Sequence, residues 1–160
     1  MERLVQPPLP IRIVPTSAYQ GTELLFITSS IVQISFTDLN LYLDLNQNPL
    51  VNWIEKAPTL VKRFSMGMEA DSAQRYIYLF GGRGPNNIQY TDIHKYDTVS
   101  NNWAVLPAAV LSTGNTMRST KISDDVVWLL ATDCTCLQSF DIPTETVGTV
   151  LSVTGIPSCK

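Results

Sequence analysis

Apolar and polar positions along this chain follow the patterns of short β-strands. The clearest case is Leu39–Leu45 (LNLYLDL), where apolar and polar residues alternate with the period of two that predicts a half-buried strand. Tyr76–Phe80 (YIYLF) is a short apolar run between polar segments, which predicts a buried strand. No stretch has a convincing helical periodicity. The pattern therefore predicts an all-β protein.

The predicted strands fall into units of about fifty residues. In the middle unit, four short strands joined by polar turns predict one antiparallel sheet: Phe64–Ala70, Tyr76–Phe80, Ile93–Tyr96 and Trp103–Leu106. The strands predicted before it are Ile11–Val14, Thr22–Thr28 and Leu39–Leu45. Those predicted after it are Met117–Ile122, Val126–Ala131, Thr135–Phe140 and Val150–Val153. The organisation is thus an N-terminal segment, 1–10, and three units, 11–58, 59–110 and 111–156.

Particular residues recur at matching places in these units. In the middle unit, Gly81 and Gly82 end a buried strand, Tyr96 precedes Asp97, and Trp103 follows six residues later. The corresponding residues are Asp44 and Trp53 in the first unit and Phe140 and Asp141 in the third. The glycines suit a backbone bend that is costly for other residues, the aromatic side chains suit burial between sheets, and the aspartates can accept hydrogen bonds from turn amides. We expect these residues to be structural.

A period near fifty built from short strands is typical of a β-propeller blade. With Gly81, Gly82, Tyr96, Asp97 and Trp103, the segment Tyr76–Pro107 resembles a kelch repeat. The first unit, LNLYLDLNQNPLVNW, is similar to the variant found in kelch-type proteins of fungi. The resemblance extends over roughly residues 11–153 and implies a partial β-propeller of the galactose-oxidase-like superfamily, with about three four-stranded antiparallel blades. Most members of that superfamily are interaction platforms, and a minority are enzymes.

Three blades do not close a ring, because propellers usually have about four to eight. We expect a partial product related to a longer propeller; two copies that complete a six-bladed ring, or an open arc, are the alternatives. An open arc would leave an apolar blade face uncovered at each end and favour self-association.

Composition narrows the possible functions. The net charge of −3 gives no general attraction to nucleic acid, and no apolar run is long enough to span a membrane. The first residues, MERLVQPPLP, lack the apolar core of a signal peptide, which slightly favours a cytoplasmic location, although related fungal-type proteins are often secreted or membrane-anchored. The three cysteines, Cys134, Cys136 and Cys159, cannot form a full disulfide framework and are expected to be reduced.

The chain lacks the residues that the catalytic sites considered for this fold require. His94 is the one histidine, whereas the copper oxidases of the propeller superfamily need two histidine ligands, and a Ser-His-Asp hydrolase would also have to use His94. The segment Gly81–Gly84 is followed by neither Lys-Ser/Thr nor a predicted helix, so it does not predict a phosphate loop. We therefore predict a protein that is not an enzyme and has no cofactor or metal.

The longer loops, Arg83–Tyr90 and Val110–Asn115, are where a propeller usually contacts its partners. The residues predicted to bind a protein partner are Arg83, Asn86, Asn87, Gln89 and Tyr90. The predicted function is a kelch-type module for non-catalytic protein–protein binding. The alternative is a fragment of a galactose-oxidase-like or carbohydrate-binding propeller.

Overall fold

The computed structural model describes residues 11–12, 24–28, 31–32, 35–36, 40–44, 54–111, 117–131 and 136–152. These residues form fifteen strands and one turn of 3₁₀ helix, which confirms the all-β prediction. Among the residues described, no helix is long and apolar enough to cross a lipid bilayer. The strands form four antiparallel sheets.

The second sheet contains the middle unit and has four strands in the order β10-β9-β8-β7. Its strands are β7 (Gly67–Ala70), β8 (Tyr76–Phe80), β9 (Asp92–Asp97) and β10 (Asn102–Val110). All four strands were predicted, but β7 begins at Gly67 rather than Phe64. Ser65 has a positive φ of 54°, which interrupts the extended backbone after Phe64. Phe64 instead forms an isolated bridge with Arg83.

The third sheet consists of β11 (Met117–Lys121), β12 (Val126–Ala131), β13 (Cys136–Asp141), β14 (Thr146–Val147) and β15 (Leu151–Ser152). The strands β11, β12 and β13 follow one another, and both β14 and β15 pair with β13. The fourth strand is therefore split, whereas the sequence predicted one strand over Val150–Val153. Gly148, between the two pieces, donates its amide hydrogen to the carbonyl of Ser139 at 2.8 Å and keeps this segment beside β13.

The first unit departs from the prediction of four strands in one sheet. The first sheet has three strands, β2 (Leu24–Thr28), β5 (Asn40–Asp44) and β6 (Ile54–Lys56). The strand predicted at Ile11–Val14 is described as β1 (Ile11–Arg12), and it pairs with β3 (Ile31–Val32) rather than with the first sheet. The sequence analysis assigned no strand to residues 31–36, but β3 forms a hairpin with β4 (Ser35–Phe36) and supplies the edge on which β1 adds.

The second and third sheets stack face to face around one apolar core. Both sheets contribute buried side chains to this interblade core: Tyr78, Phe80, Ile93, Leu106, Leu111, Met117, Val127, Leu129, Ala131, Phe140 and Ile142. The ring of Phe140 lies 5.2 Å from that of Phe80 and 5.3 Å from that of Tyr78, centroid to centroid. Burial of such side chains contributes about 1.5–3 kcal/mol each. Stacking of the sheets therefore contributes to the stability of this part of the chain.

The edge strands β7 and β11 of the two sheets also contact each other. The Ser119 hydroxyl on β11 accepts a hydrogen bond from the Met68 amide at 3.0 Å and contacts the Met68 carbonyl at 3.2 Å. A Cβ on Gly67 would lie 3.0 Å from the Cβ of Ser119, so the absent side chain permits this close approach. Strands β7 and β11 thus lie side by side where the sheets converge.

Candidate functional site

The connection between β8 and β9, residues 81–91, lies at one end of the second sheet. Backbone hydrogen bonds hold it in place at its base. Phe64 and Arg83 exchange two such bonds, at 2.7 and 2.8 Å, and the Tyr90 amide donates to the Gly82 carbonyl at 2.9 Å. A loop with these cross-links presents a defined surface.

The loop tip, residues 85–89, begins with a turn of 3₁₀ helix at Pro85–Asn87. The Gly84 amide donates to the Ile88 carbonyl at 2.8 Å and closes the turn. Asn86 and Asn87 have positive φ angles of 57° and 64°. Asparagine tolerates this left-handed conformation better than most residues, which explains the Asn-Asn pair at the turn.

Three of the five residues predicted to bind a partner are exposed at the loop tip: Asn86, Asn87 and Gln89. The other two, Arg83 and Tyr90, lie at the base and are partly buried. The sequence analysis missed Ile88, whose side chain is 50% exposed between these amide side chains. Its one signal in the sequence is an apolar residue within a polar loop, and that signal does not tell exposure from burial. The second predicted loop, Val110–Asn115, lies largely outside the described residues.

A buried arginine anchors the loop from below. Arg63 is 0% exposed, and its Nη1 donates to the Gly81 carbonyl at 3.0 Å, at the start of the loop. Two further bonds of 3.1 Å join Nη1 and Nη2 to the two carboxylate oxygens of Asp92, at the end of the loop. The guanidinium also lies 4.5 Å from the centre of the Tyr90 ring, within range of a cation–π interaction. Arg63 therefore connects both ends of the loop, although the sequence analysis did not single it out.

His94 completes this buried cluster. It is 1% exposed, and its Nε2 lies 2.7 Å from Oδ2 of Asp92 and 2.8 Å from Nη2 of Arg63. Burial alone would raise the pKa of Asp92, but hydrogen bonds from His94 and Arg63 and their charges hold that pKa well below its usual range. Asp92 is thus a carboxylate in the folded protein.

The glycine pair lies directly after β8, at the point where Arg63 binds the Gly81 carbonyl. Gly81 and Gly82 both have positive φ, 57° and 102°. A Cβ on Gly82 would lie 2.8 Å from the carbonyl oxygen of Phe64 and 3.0 Å from the Cβ of Met66. Both the backbone conformation and the close approach therefore disfavour any side chain at Gly82.

The aromatic pair of the repeat lies at the opposite end of the second sheet. Tyr96 is fully buried, and its ring centroid lies 4.8 Å from that of Trp103. The Tyr96 hydroxyl donates to Oδ1 of Asn101 at 2.6 Å, and the Trp103 indole donates to the Ala57 carbonyl at 2.9 Å. Burial and, to a smaller extent, the charge of Asp97 raise the pKa of Tyr96 to about 12. This pair attaches the segment that follows β6 to the second sheet.

The repeat aspartates accept hydrogen bonds in turns. Oδ1 of Asp97 accepts from the amides of Val99 and Ser100 at 2.9 and 3.2 Å, and Oδ1 of Asp141 accepts from the Thr144 amide at 2.9 Å. A hydrogen bond from Arg75, together with those turn amides, lowers the pKa of Asp97 to about 2. The register pairs Ile77 with Tyr96 and Val127 with Phe140, so Phe140 and Asp141 occupy the places of Tyr96 and Asp97.

The remaining predicted residues give no further site within the described part of the chain. Asp44 is the last residue of β5, and Trp53 lies outside the described residues. Cys136 is partly buried in β13, and Cys134 and Cys159 lie outside the described residues. The described residues contain no group of three or more His, Cys, Asp or Glu side chains that could hold a metal ion.

A cavity of about 250 Å³ lies on the second sheet beside the turn that precedes Trp103. Its lining combines two aromatic rings with polar side chains: Tyr76, Lys95, Asp97, Ser100, Asn102, Trp103 and Ala104. The Lys95 ammonium lies 3.8 Å from the centre of the Tyr76 ring and pairs with Glu145 in the turn between β13 and β14. Both aromatic rings in the lining therefore have partners within the protein: Tyr76 contacts the Lys95 ammonium, and Trp103 packs on Tyr96.

The sheet geometry matches that of a known class of fold. No protein-family profile matches this chain, and no curated protein matches it in sequence. Among solved structures, the chain is similar to YjhT, a kelch-type β-propeller, with a TM-score of 0.73 and 16% sequence identity. The match covers 94% of this chain and 54% of the YjhT chain, so this chain spans about half the length of that protein. The fold is therefore that of a partial β-propeller, as predicted.

Proposed function

We propose that this chain is a kelch-type interaction module that binds a protein partner through its loop tip and has no catalytic activity. The observation that carries the proposal is the exposed loop tip, which combines an apolar side chain with polar ones on a base held by hydrogen bonds. Ile88 offers an apolar side chain, and Asn86, Asn87 and Gln89 surround it with hydrogen-bonding groups. Protein interfaces commonly combine an apolar centre with a polar rim. Binding residues commonly lie on loops that a rigid scaffold positions.

Rigidity of the base supports the proposal further. A loop that is ordered before it binds loses less conformational entropy on association, so more of its contact energy appears as affinity. Here Arg63, Asp92 and Tyr90 hold the base through the hydrogen bonds and ring contact described above. Arg63 and Asp92 position the loop tip and are not proposed to touch the partner, whereas Arg83 and Tyr90, at the loop base, are proposed as additional contacts.

The environment of His94 supports a non-catalytic role. The ring is buried, and its Nε2 contacts both the Asp92 carboxylate and the Arg63 guanidinium. Because Nε2 lies within hydrogen-bond distance of both groups, that nitrogen is already engaged within the cluster and does not face a substrate. We propose that this histidine orients Asp92 within the cluster.

The test compares two variants that carry the same substitution on exposed apolar residues. Ile88→Asp changes the loop tip, and Val99→Asp changes the β9–β10 turn at the other end of the sheet, where Val99 is 78% exposed. Proteins captured from an extract of the source cells by the wild-type chain and by the Val99→Asp control should be lost with Ile88→Asp. Equal recovery with all three chains would refute binding at the loop tip.

The alternative, a carbohydrate-binding propeller, is favoured by one feature, the cavity lined by Tyr76 and Trp103. Sugars bind through aromatic ring faces and hydrogen bonds, but here Lys95 covers Tyr76 and Tyr96 covers Trp103. Tryptophan fluorescence titrated with neutral mono- and disaccharides tests it. A saturable change that is lost in Asn102→Ala would favour this function over protein binding.

A further inference from the structure

The second and third sheets contain two matching turns. Residues 98–101 connect β9 to β10, and residues 142–145 connect β13 to β14. A repeat aspartate precedes each turn and accepts hydrogen bonds from its amides. The last residue of each turn, Asn101 or Glu145, has a left-handed backbone, with φ of 56° and 53° respectively. Asn101 and Glu145 therefore occupy equivalent positions in the two sheets.

The side chains of both residues reach the preceding sheet. Oδ1 of Asn101 accepts a hydrogen bond at 2.8 Å from the amide of Ala57, directly after β6 of the first sheet. Oε1 of Glu145 accepts one from the Tyr78 hydroxyl at 3.3 Å and one from the Lys95 ammonium, on β8 and β9 of the second sheet. In each case an oxygen of the turn side chain joins a sheet to the one before it in the chain. We call these contacts the Asn101 link and the Glu145 link.

The backbone of Glu145 is unusual for its residue type. Asparagine and glycine adopt a left-handed φ readily, whereas the same conformation strains a glutamate. Such strain persists only where surrounding contacts hold the residue in place. Within the described residues, the contacts of the carboxylate with Lys95 and Tyr78 supply this support.

The two links differ in charge. The Asn101 link joins neutral groups, whereas the Glu145 link joins a carboxylate to an ammonium. The side chains of Lys95 and Glu145 are 21% and 32% exposed, so salt screens this pair less than a surface pair but does reach it. Burial, and next the charge of Glu145, raise the pKa of Tyr78, which therefore stays a hydroxyl that can donate to the carboxylate.

We infer that the last side chain of this turn links each sheet to the preceding one, and that the Glu145 link makes the junction of the second and third sheets sensitive to salt. The interblade core holds the same two sheets together whatever the charge of Glu145. The link therefore adjusts the stability of a junction that persists without it. The inference uses no residue of the loop tip, so it stands or falls independently of the proposed protein partner.

A double-variant cycle on the 160-residue chain tests the Glu145 link. Urea denaturation gives the unfolding equilibrium constants of the unchanged chain, Lys95→Met, Glu145→Gln and the variant with both changes, from which the coupling of the two side chains follows. Glutamine keeps the shape of glutamate, so the cycle isolates the charge. We expect a coupling of at least about threefold in about 0.01 M NaCl, and less than about half of that in about 1 M NaCl. A coupling near onefold, or one that salt leaves unchanged, would overturn the inference.

Glycine substitutions test the position in the turn. Glycine adopts the left-handed backbone without strain, so it removes the side chain and leaves the turn. Asn87→Gly is the matched control, because Asn87 has a φ of 64° and is exposed. Relative to this control, Glu145→Gly and Asn101→Gly should each raise the unfolding equilibrium constant at least about threefold. No difference from the control for either variant would overturn the inference, and if Glu145→Gly fails to fold, the cycle with Glu145→Gln decides.

Discussion

Replacing Arg63 by methionine should destabilise the chain more than any comparable change of a surface cation. Methionine keeps much of the apolar stem of arginine but removes the guanidinium. The change deletes the bond to the Gly81 carbonyl and the bidentate pair with Asp92, and it removes the cation from the Tyr90 ring. It leaves the partly buried Asp92 carboxylate with His94 as its remaining side-chain partner in this cluster.

The expected magnitude follows from the burial of the two partners. Breaking a buried ion pair by removal of one partner costs about 3–5 kcal/mol, because the other charge is left unpaired. The Asp92 side chain keeps 33% of its surface exposed, so water can solvate it in part. We therefore expect a loss of about 3 kcal/mol in the free energy of unfolding, at the lower end of that range.

Urea denaturation followed by tryptophan fluorescence measures this loss. Arg75→Met is the matched control, because Arg75 pairs with Asp97 at 3.0 Å while 53% of its side chain is exposed. An exposed pair of this kind contributes little to stability, because water and salt screen it. The double variant Arg63→Met/Asp92→Leu should be more stable than Arg63→Met alone, since no unpaired charge remains. A loss for Arg63→Met no greater than that for Arg75→Met would refute the reasoning.

Three further predictions follow from the described geometry. Gly82→Ala should lower the free energy of unfolding by about 2–3 kcal/mol, because an L side chain is strained at a φ of 102°; an unchanged urea midpoint would contradict this. Phe140→Ala should cost about 3–5 kcal/mol in the same assay, whereas Ile122→Ala at an exposed position should change it by less than about 0.5 kcal/mol. The pKa of Asp92 and of Asp97 is lower in the folded than in the unfolded chain, so both stabilise the fold above about pH 4, and this stability is lost as the pH falls. Denaturation at pH 5, 4 and 3 should show the decline, and a flat profile would contradict it.

Local sequence patterns predicted the strands of the second sheet closely. The apolar run Tyr76–Phe80 is β8 without change, because continuous burial on both faces leaves a clear signal in the residues themselves. The start of β7 was wrong by three residues, since the left-handed backbone of Ser65 depends on the bridge between Phe64 and Arg83. The strand at Ile11 was expected in the sheet of the first unit, but β1 pairs with β3 instead. The choice of partner strand is a long-range event that a local pattern does not encode.

The candidate site was predictable only in part. The Asn-Asn pair marks a polar turn in any context, and Asn86 and Asn87 are indeed exposed at the loop tip. Ile88 was missed, because a lone apolar residue in a loop is equally compatible with burial. Tyr90 was predicted to contact a partner, and the structure places it at the loop base on the buried guanidinium of Arg63. Whether this loop binds a partner stays a prediction.

By itself, the amino-acid sequence determined that this chain is all-β, that it repeats at about fifty residues, that aromatic residues and aspartates recur at set places, and that a glycine pair ends a strand of the middle unit. Those properties depend on side-chain alternation and on the backbone freedom of glycine, which act between near neighbours. Only the tertiary structure decided that Arg63 lies beneath the loop and that Phe140 of the third sheet packs on Tyr78 and Phe80 of the second. Both depend on which distant segments come together, because burial of a charge or of an apolar face is a property of the packed sheets.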